Sequence, residues 1–148
     1  MDVRQRAADH ANPDRRWPLG LEGEPRLGAH LKSARRGYSH HGVYVGHGRV
    51  VHYSGLSGAW QCGPVEEVPL LRFANGHEVR IVDHLDPPYS PEEIVRRARS
   101  RLGENDYRLL TNNCEHFCNW CLSGISLSAQ VARPFGLPFR VLGALFHA

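Results

Sequence analysis

Residues Tyr38 to Tyr53 constrain the fold more than any other stretch of this chain. Two runs rich in Val, Tyr and His, Tyr38 to Val45 and Arg49 to Tyr53, flank Gly46-His47-Gly48. Glycines at a turn between alternating apolar runs predict an antiparallel hairpin. Directly opposed residues of such a hairpin share a face, so the length of the loop decides which histidines meet. A two-residue loop at His47-Gly48 sets Val43 opposite His52 and brings His41 to their face. A three-residue loop ending at Arg49 sets Tyr44 opposite His52, and His40, Gly42, Tyr44 and His52 then share a face. Both registers stay open on the sequence. Either one gathers two imidazoles on one side of a two-stranded unit that a helix can cover.

The remaining elements extend this unit into an α+β domain, an antiparallel sheet packed against helices. Leu27 to Leu31 begins the folded part, and Arg35-Arg36-Gly37 reads as a turn into the hairpin. Beyond a Gly/Ser loop from Gly55 to Gly63, Val65 to Phe73 alternates loosely as a short strand. Asn75-Gly76 is a turn signal, and Glu78 to Val82 reads as a further strand. Connections this short cannot hold crossover helices, so neighbouring strands run antiparallel. Ser90-Pro91-Glu92-Glu93 then starts a helix, with Ser as N-cap, Pro at the first position and Glu at the third. Ile94, Ala98 and Leu102 fall on one face of it, and Gly103 supplies the stop. Strands first and helices after them is the order of an α+β fold.

A chain of 148 residues is one domain by length and large enough to bury a core. Residues 1–24, polar and Arg-rich without an apolar period, read as a disordered or loosely attached arm. Residues 133–148 form a short apolar tail, interrupted by Pro138, that is too short to span a bilayer but can touch a membrane surface. Net charge is only +3, Lys32 is the sole lysine, and no basic cluster forms a nucleic-acid groove. Nothing near the start resembles a signal peptide. Three of the four cysteines, Cys114, Cys118 and Cys121, fall within eight residues, which no disulfide framework uses. A reducing, cytoplasmic setting is therefore expected.

Asn112-Asn113-Cys114-Glu115-His116-Phe117 opens a second helix that runs to Gly124. Asn113 is a strong N-cap residue and leaves Cys114 in the first turn. The helix dipole and unpaired N–H groups there favour a thiolate, the form in which a cysteine is nucleophilic. A thiol nucleophile also needs a base in reach and a group to orient that base. The hairpin histidines are the candidates.

Together these residues resemble a known family. His40-His41-Gly42-Val43-Tyr44-Val45-Gly46, followed by Val50-Val51-His52 and later by Asn113-Cys114-Glu115-His116-Phe117, is similar to the lecithin:retinol acyltransferase-like (LRAT-like, or NC) family. That family belongs to the NlpC-type branch of papain-like thiol enzymes, in a permuted arrangement. The resemblance covers roughly residues 25–132, flanked by Tyr107 to Asn112 and Ser128 to Val131. It implies a catalytic domain over that range, with Cys114 as nucleophile, His40 as base and His52 as the orienting histidine. It also implies an acyl-cysteine intermediate and an acyl ester of a lipid or phospholipid as substrate, with no cofactor. His40 as base goes with the three-residue loop. The doublet leaves His41 as the alternative base. His116 and Glu115 belong to the same motif and read as structural, satisfying backbone near the helix start.

Other chemistries are weighed against this one. Cys114-x3-Cys118-x2-Cys121 has the spacing that ligates an Fe–S cluster in radical-SAM enzymes, but only 27 residues follow it and the intervening residues read as helix. A zinc site from the same cysteines and His116 lacks a loop to fold round the ion. No metal is expected. An NlpC-type peptide or amide hydrolase would use the same constellation in a polar groove. An idle binding domain would have no need of three competent catalytic residues.

Overall fold

The computed structural model describes residues 17–54, 63–108 and 112–126. Five strands form one antiparallel sheet: β1 (His30–Arg35), β2 (Tyr38–Gly46), β3 (Arg49–Tyr53), β4 (Val65–Pro69) and β5 (Arg80–Val82), in the order β4-β3-β2-β1-β5. Among the described residues three helices accompany the sheet in an α+β arrangement: α1 (Leu70–Ala74), α2 (Pro91–Ser100) and α3 (Cys114–Ser123). The predicted strand from Val65 to Phe73 is thus half strand and half helix. Pro69 ends the strand, since it has no N–H to add to the ladder, and the chain turns into α1 with Phe73 directed inward. Asn75, in the left-handed region at φ 47°, closes α1.

The hairpin takes its loop from one predicted register and its faces from the other. His47 and Gly48 are both at positive φ, as a tight two-residue turn requires, and Gly46 pairs with Arg49. A bulge between Tyr44 and Gly46 then shifts the ladder by one residue, so that Gly42 pairs with His52 and Tyr44 with Val50. His40, Gly42, Tyr44 and His52 consequently share a face.

Each face of the sheet has its own core. On one, Val43, Val45, Val51 and Tyr53 meet Ile94, Val95 and Ala98 of α2 and Phe117, Cys118, Cys121 and Leu122 of α3. On the other, Leu31, Tyr44, Val50 and Val68 meet Leu70 and Phe73 of α1, with Trp17 and Leu21 packed against them. The segment 17–24, grouped by sequence with the N-terminal arm, is fastened to this second core. Leu19 accepts a backbone bond from Val79, and Glu24 accepts one from the buried Tyr44 hydroxyl at 2.5 Å.

In α2 the Ser90 hydroxyl accepts from the Glu93 N–H, as the capping sequence predicts. The helix stops at Ser100, so Leu102 lies beyond it and is 42% exposed; Val95 takes the core position instead. Arg97 and Arg101 do not face open water. Arg97 lies over the rings of Tyr89 and Trp120, and Arg101 over Phe117 and Trp120, which locks α2 to α3.

Candidate active site

The start of α3 is built as the sequence predicts. The Asn113 side chain accepts from the N–H groups of Glu115 and His116, both at 3.0 Å. The His116 ring in turn accepts from the Asn113 N–H at 3.3 Å, closing a capping box with histidine in the place usual for glutamate. The structural reading of His116 holds. Asn112, just before this cap, joins a partly buried network: Arg101 makes two bonds to Glu104 and one to Asn112, and Asn112 and the Tyr53 hydroxyl both donate to Glu104. The Arg101 bonds hold the Glu104 carboxyl down at about 2.

Cys114 meets the sheet at a strand edge. Tyr44 bonds the β1 side of β2 through both its N–H and its C=O. Alternation therefore turns the backbone groups of Ser39 and His41 toward the β3 side, where pairing ends at Gly42 and His52. The Cys114 thiol fills the position beyond, donating to the Ser39 carbonyl at 3.7 Å and receiving the His41 N–H. The sulfur thus touches backbone on either side of His40. Among the described residues no imidazole is hydrogen-bonded to it.

The expectation of a thiolate favoured by the helix start is overturned. Burial pushes the Cys114 thiol up to about 11, against the N–H groups of His41, Glu115 and Cys114 itself, which favour the anion. A thiol on a residue only 3% exposed loses more solvation than three N–H dipoles return. Cys118 and Cys121 are fully buried in the α2–α3 core, where burial raises their thiols as well. They behave as small apolar side chains on one buried face of α3.

His40 and His52 come together. His40 Nε2 lies 2.7 Å from His52 Nδ1, and His52 Nε2 lies 3.1 Å from a Glu66 carboxylate oxygen. The direction of the protons follows from chemistry. A carboxylate only accepts, so His52 carries its proton on Nε2 and its Nδ1 is a lone pair. His40 must then donate from Nε2, which leaves His40 Nδ1 as the basic nitrogen. Burial, then the charges of His52, Arg35 and His41, lower the His40 pKa to about 3. Burial also lowers that of His52, against the opposing pull of Glu66. Phe73 stacks on the His40 ring at 5.1 Å and stands edge-on to His52 at 5.6 Å. A cavity of about 590 Å³ opens beside this pair.

Helix α3 covers the opposite face from the one expected, the face of His41 rather than that of His40 and His52. The reason is continuity: Val43, Val45, Val51 and Tyr53 offer an unbroken apolar surface, whereas His40, Gly42 and His52 interrupt theirs. His41 lies buried there. Its Nδ1 is 2.8 Å from His30 Nε2, and His30 Nδ1 is 2.8 Å from His84 Nε2. Glu66 is a residue at this site that sequence reasoning missed. Its signal is the pairing of β3 with β4, which sets Glu66 directly opposite His52. Cys62 and the apolar tail lie outside the described residues. Among those described, no helix is long and apolar enough to cross a membrane.

Comparison with known proteins bears on residues 23–127, which match the family model described as lecithin retinol acyltransferase. Human phospholipase A and acyltransferase 2 is 36% identical over 123 residues, covering 72% of this chain and 76% of that protein. Human phospholipase A and acyltransferase 1 is 30% identical, covering 79% of each. Rat lecithin retinol acyltransferase is 31% identical over 70% of this chain, but the match spans only 56% of its own length.

Proposed function

This chain belongs to the lecithin retinol acyltransferase family, and from that premise we propose that it moves acyl groups from a lipid ester through an acyl-cysteine on Cys114. The observation that carries this reading is the Glu66–His52–His40 chain, beside whose last member the Cys114 sulfur rests on the strand backbone. A thiol held near 11 and an imidazole near 3 are both neutral at pH 7. Proton transfer therefore accompanies attack rather than preceding it.

In the first step the Cys114 sulfur bonds to the ester carbonyl carbon while its proton passes to His40 Nδ1. Collapse of the tetrahedral intermediate breaks the C–O bond, and the leaving alkoxide takes that proton. In the second step His40 Nδ1 draws a proton from water or an acceptor hydroxyl or amine, whose oxygen or nitrogen attacks the thioester and restores the thiol. His52 holds the His40 tautomer throughout, and Glu66 holds that of His52. The Cys114 N–H, left out of the Asn113 cap, is a donor for the oxyanion. The lipid character of the substrate draws support from the relatives, named for phospholipase A, lecithin and retinol.

Intact-protein mass spectrometry after incubation with phosphatidylcholine vesicles tests this. A single acyl adduct is expected, mapped to Cys114 and labile to hydroxylamine. An adduct that survives Cys114→Ala substitution sinks the assignment.

A further inference from the structure

The cavity beside His40 and His52 carries two guanidinium groups, Arg35 and Arg72, that the acyl-transfer reading leaves unused. Several other arginines meet carboxylates: Arg49 and Arg99 share Glu67, Arg96 pairs with Glu93 and Arg101 with Glu104, while Arg97 is covered by the Tyr89 and Trp120 rings. Arg35 and Arg72 meet no carboxylate among the described residues. Arg35 donates to the Ser33 hydroxyl at 2.6 Å and to the Phe73 carbonyl at 2.8 Å. Both acceptors are uncharged, so they aim the guanidinium and leave its charge in place. Arg72, in the last turn of α1, has no carboxylate within ion-pair distance among the described residues. Glu66 lines the same cavity, where its carboxylate accepts the Nε2–H of the neutral His52. Both arginine charges reach His52, where they oppose its protonation, and that of Arg35 reaches His40 as well.

Two guanidinium groups set against one carboxylate, which His52 engages, leave the cavity lining net positive and suit a ligand that brings an anion of its own. Guanidinium groups favour phosphate over other anions because their N–H pairs match its oxygens in a fork. We propose that Arg35 and Arg72 form an anion subsite that holds the phosphodiester of a glycerophospholipid while one of its acyl esters lies against Cys114. The inference rests on the acyl-transfer reading and adds the residues that would select a phosphate-bearing donor. Such a donor brings the anion and the ester on one glycerol backbone, so binding the first positions the second.

The experiment has two arms. In the first, glycerophosphocholine and inorganic phosphate are each titrated into the full-length Cys114→Ala protein, with the imidazole NMR signals of His40 and His52 as reporters. Saturable shifts with glycerophosphocholine are expected, with affinity falling at least tenfold in an added Arg72→Gln and returning in part with Arg72→Lys. Tighter binding of inorganic phosphate than of the headgroup would overturn the phospholipid assignment, and no saturable binding would overturn the subsite. In the second arm, kcat/KM is compared for phosphatidylcholine and for a phosphate-free acyl ester of p-nitrophenol. Arg72→Gln and Arg35→Lys are each expected to reduce the ratio of the two at least tenfold, chiefly through KM. Equal losses on both substrates would mark a structural role and overturn the proposal. Because the first arm needs no turnover, a protein that binds the headgroup but forms no acyl-Cys114 disproves the acyl-enzyme reading and leaves the subsite standing.

Discussion

Adjacent residues of one strand begin two imidazole chains that differ in what ends them. His40 leads through His52 to the Glu66 carboxylate and borders the open cavity. His41 leads through His30 to His84 inside the opposite face, and its own Nε2 is buried without a hydrogen-bond partner. A carboxylate terminus fixes every tautomer along the first chain and offers a counter-charge when the far end takes a proton. The second chain has an imidazole at each end, so its proton direction is not dictated by its own members. Burial then dominates, lowering His41 to about 4 and holding His30 well below its ordinary range, with only the Glu115 charge opposing at His41. The two chains differ in the group that closes them, and the proposed mechanism draws its base from the one closed by a carboxylate.

The largest test of this contrast is to remove one member of the doublet at a time. His40→Ala is expected to slow acylation of Cys114 by about 10²–10⁴-fold, the usual cost of losing a general base. His41→Ala should retain most of the rate, read by time-resolved mass spectrometry at neutral pH. The reverse ranking would transfer the catalytic role to the buried chain. The next test reverses the end group. In Glu66→Gln the amide can donate to His52 Nε2, which moves the protons of His52 and His40 to the wrong nitrogens. A loss of about 10-fold or more is expected, at least as large as in Glu66→Ala, and ¹⁵N shifts of the His40 ring should report the exchanged tautomer.

Stability against pH probes both chains together. His40, His41, His30, His52 and His84 all have lowered pKa values in the fold. Between those values and the ordinary 6.5, the unfolded chain binds protons that the folded chain does not. Stability is then complete above about pH 6.5 and is lost as pH falls toward about 4. Urea unfolding from pH 8 to 4 checks the sign; a protein that gains stability on acidification through this range would contradict the burial of neutral imidazoles. The smallest effect concerns the residue between the chains. A Cβ at Gly42 would meet Val50 Cγ1 at 2.5 Å and Phe73 Cε2 at 2.9 Å. Gly42→Ala should therefore cost about 1–3 kcal/mol by overpacking and, by displacing the Phe73 ring from His40, a few-fold in rate.

Much of this site can be read from the sequence, and the unread parts share a cause. Turn glycines and alternation give the hairpin, with the β3 bounds of Arg49 and Tyr53 correct to the residue. The Asn113 cap and the buried role of His116 follow from short-range rules. The bulge at Val45 does not, because nothing local in Tyr44-Val45-Gly46 announces an extra residue. Glu66 escaped because its register on β3 is set between strands that are separated in sequence by the stretch from Ser54 to Pro64. The Cys114 thiol was misjudged because a dipole is visible from sequence while burial arises only from packing of α2 and α3 on the sheet. Local chemistry is legible. Quantities that depend on what lies across the core are not.

The bulge has one more consequence, for how this hairpin tolerates error. Its pairing sets Gly42 against His52, with His40 two residues further along the same face. A slip that smooths the bulge would set Val43 against His52, and His41 would then stand where His40 stands now. The doublet thus offers an imidazole in either register. A strand that carries the same functional group twice, one step apart, is redundant with respect to single-residue slippage. The position beside His52 is thus filled by an imidazole in both registers, although the slip would turn Val43 and Val45 away from the α2–α3 core.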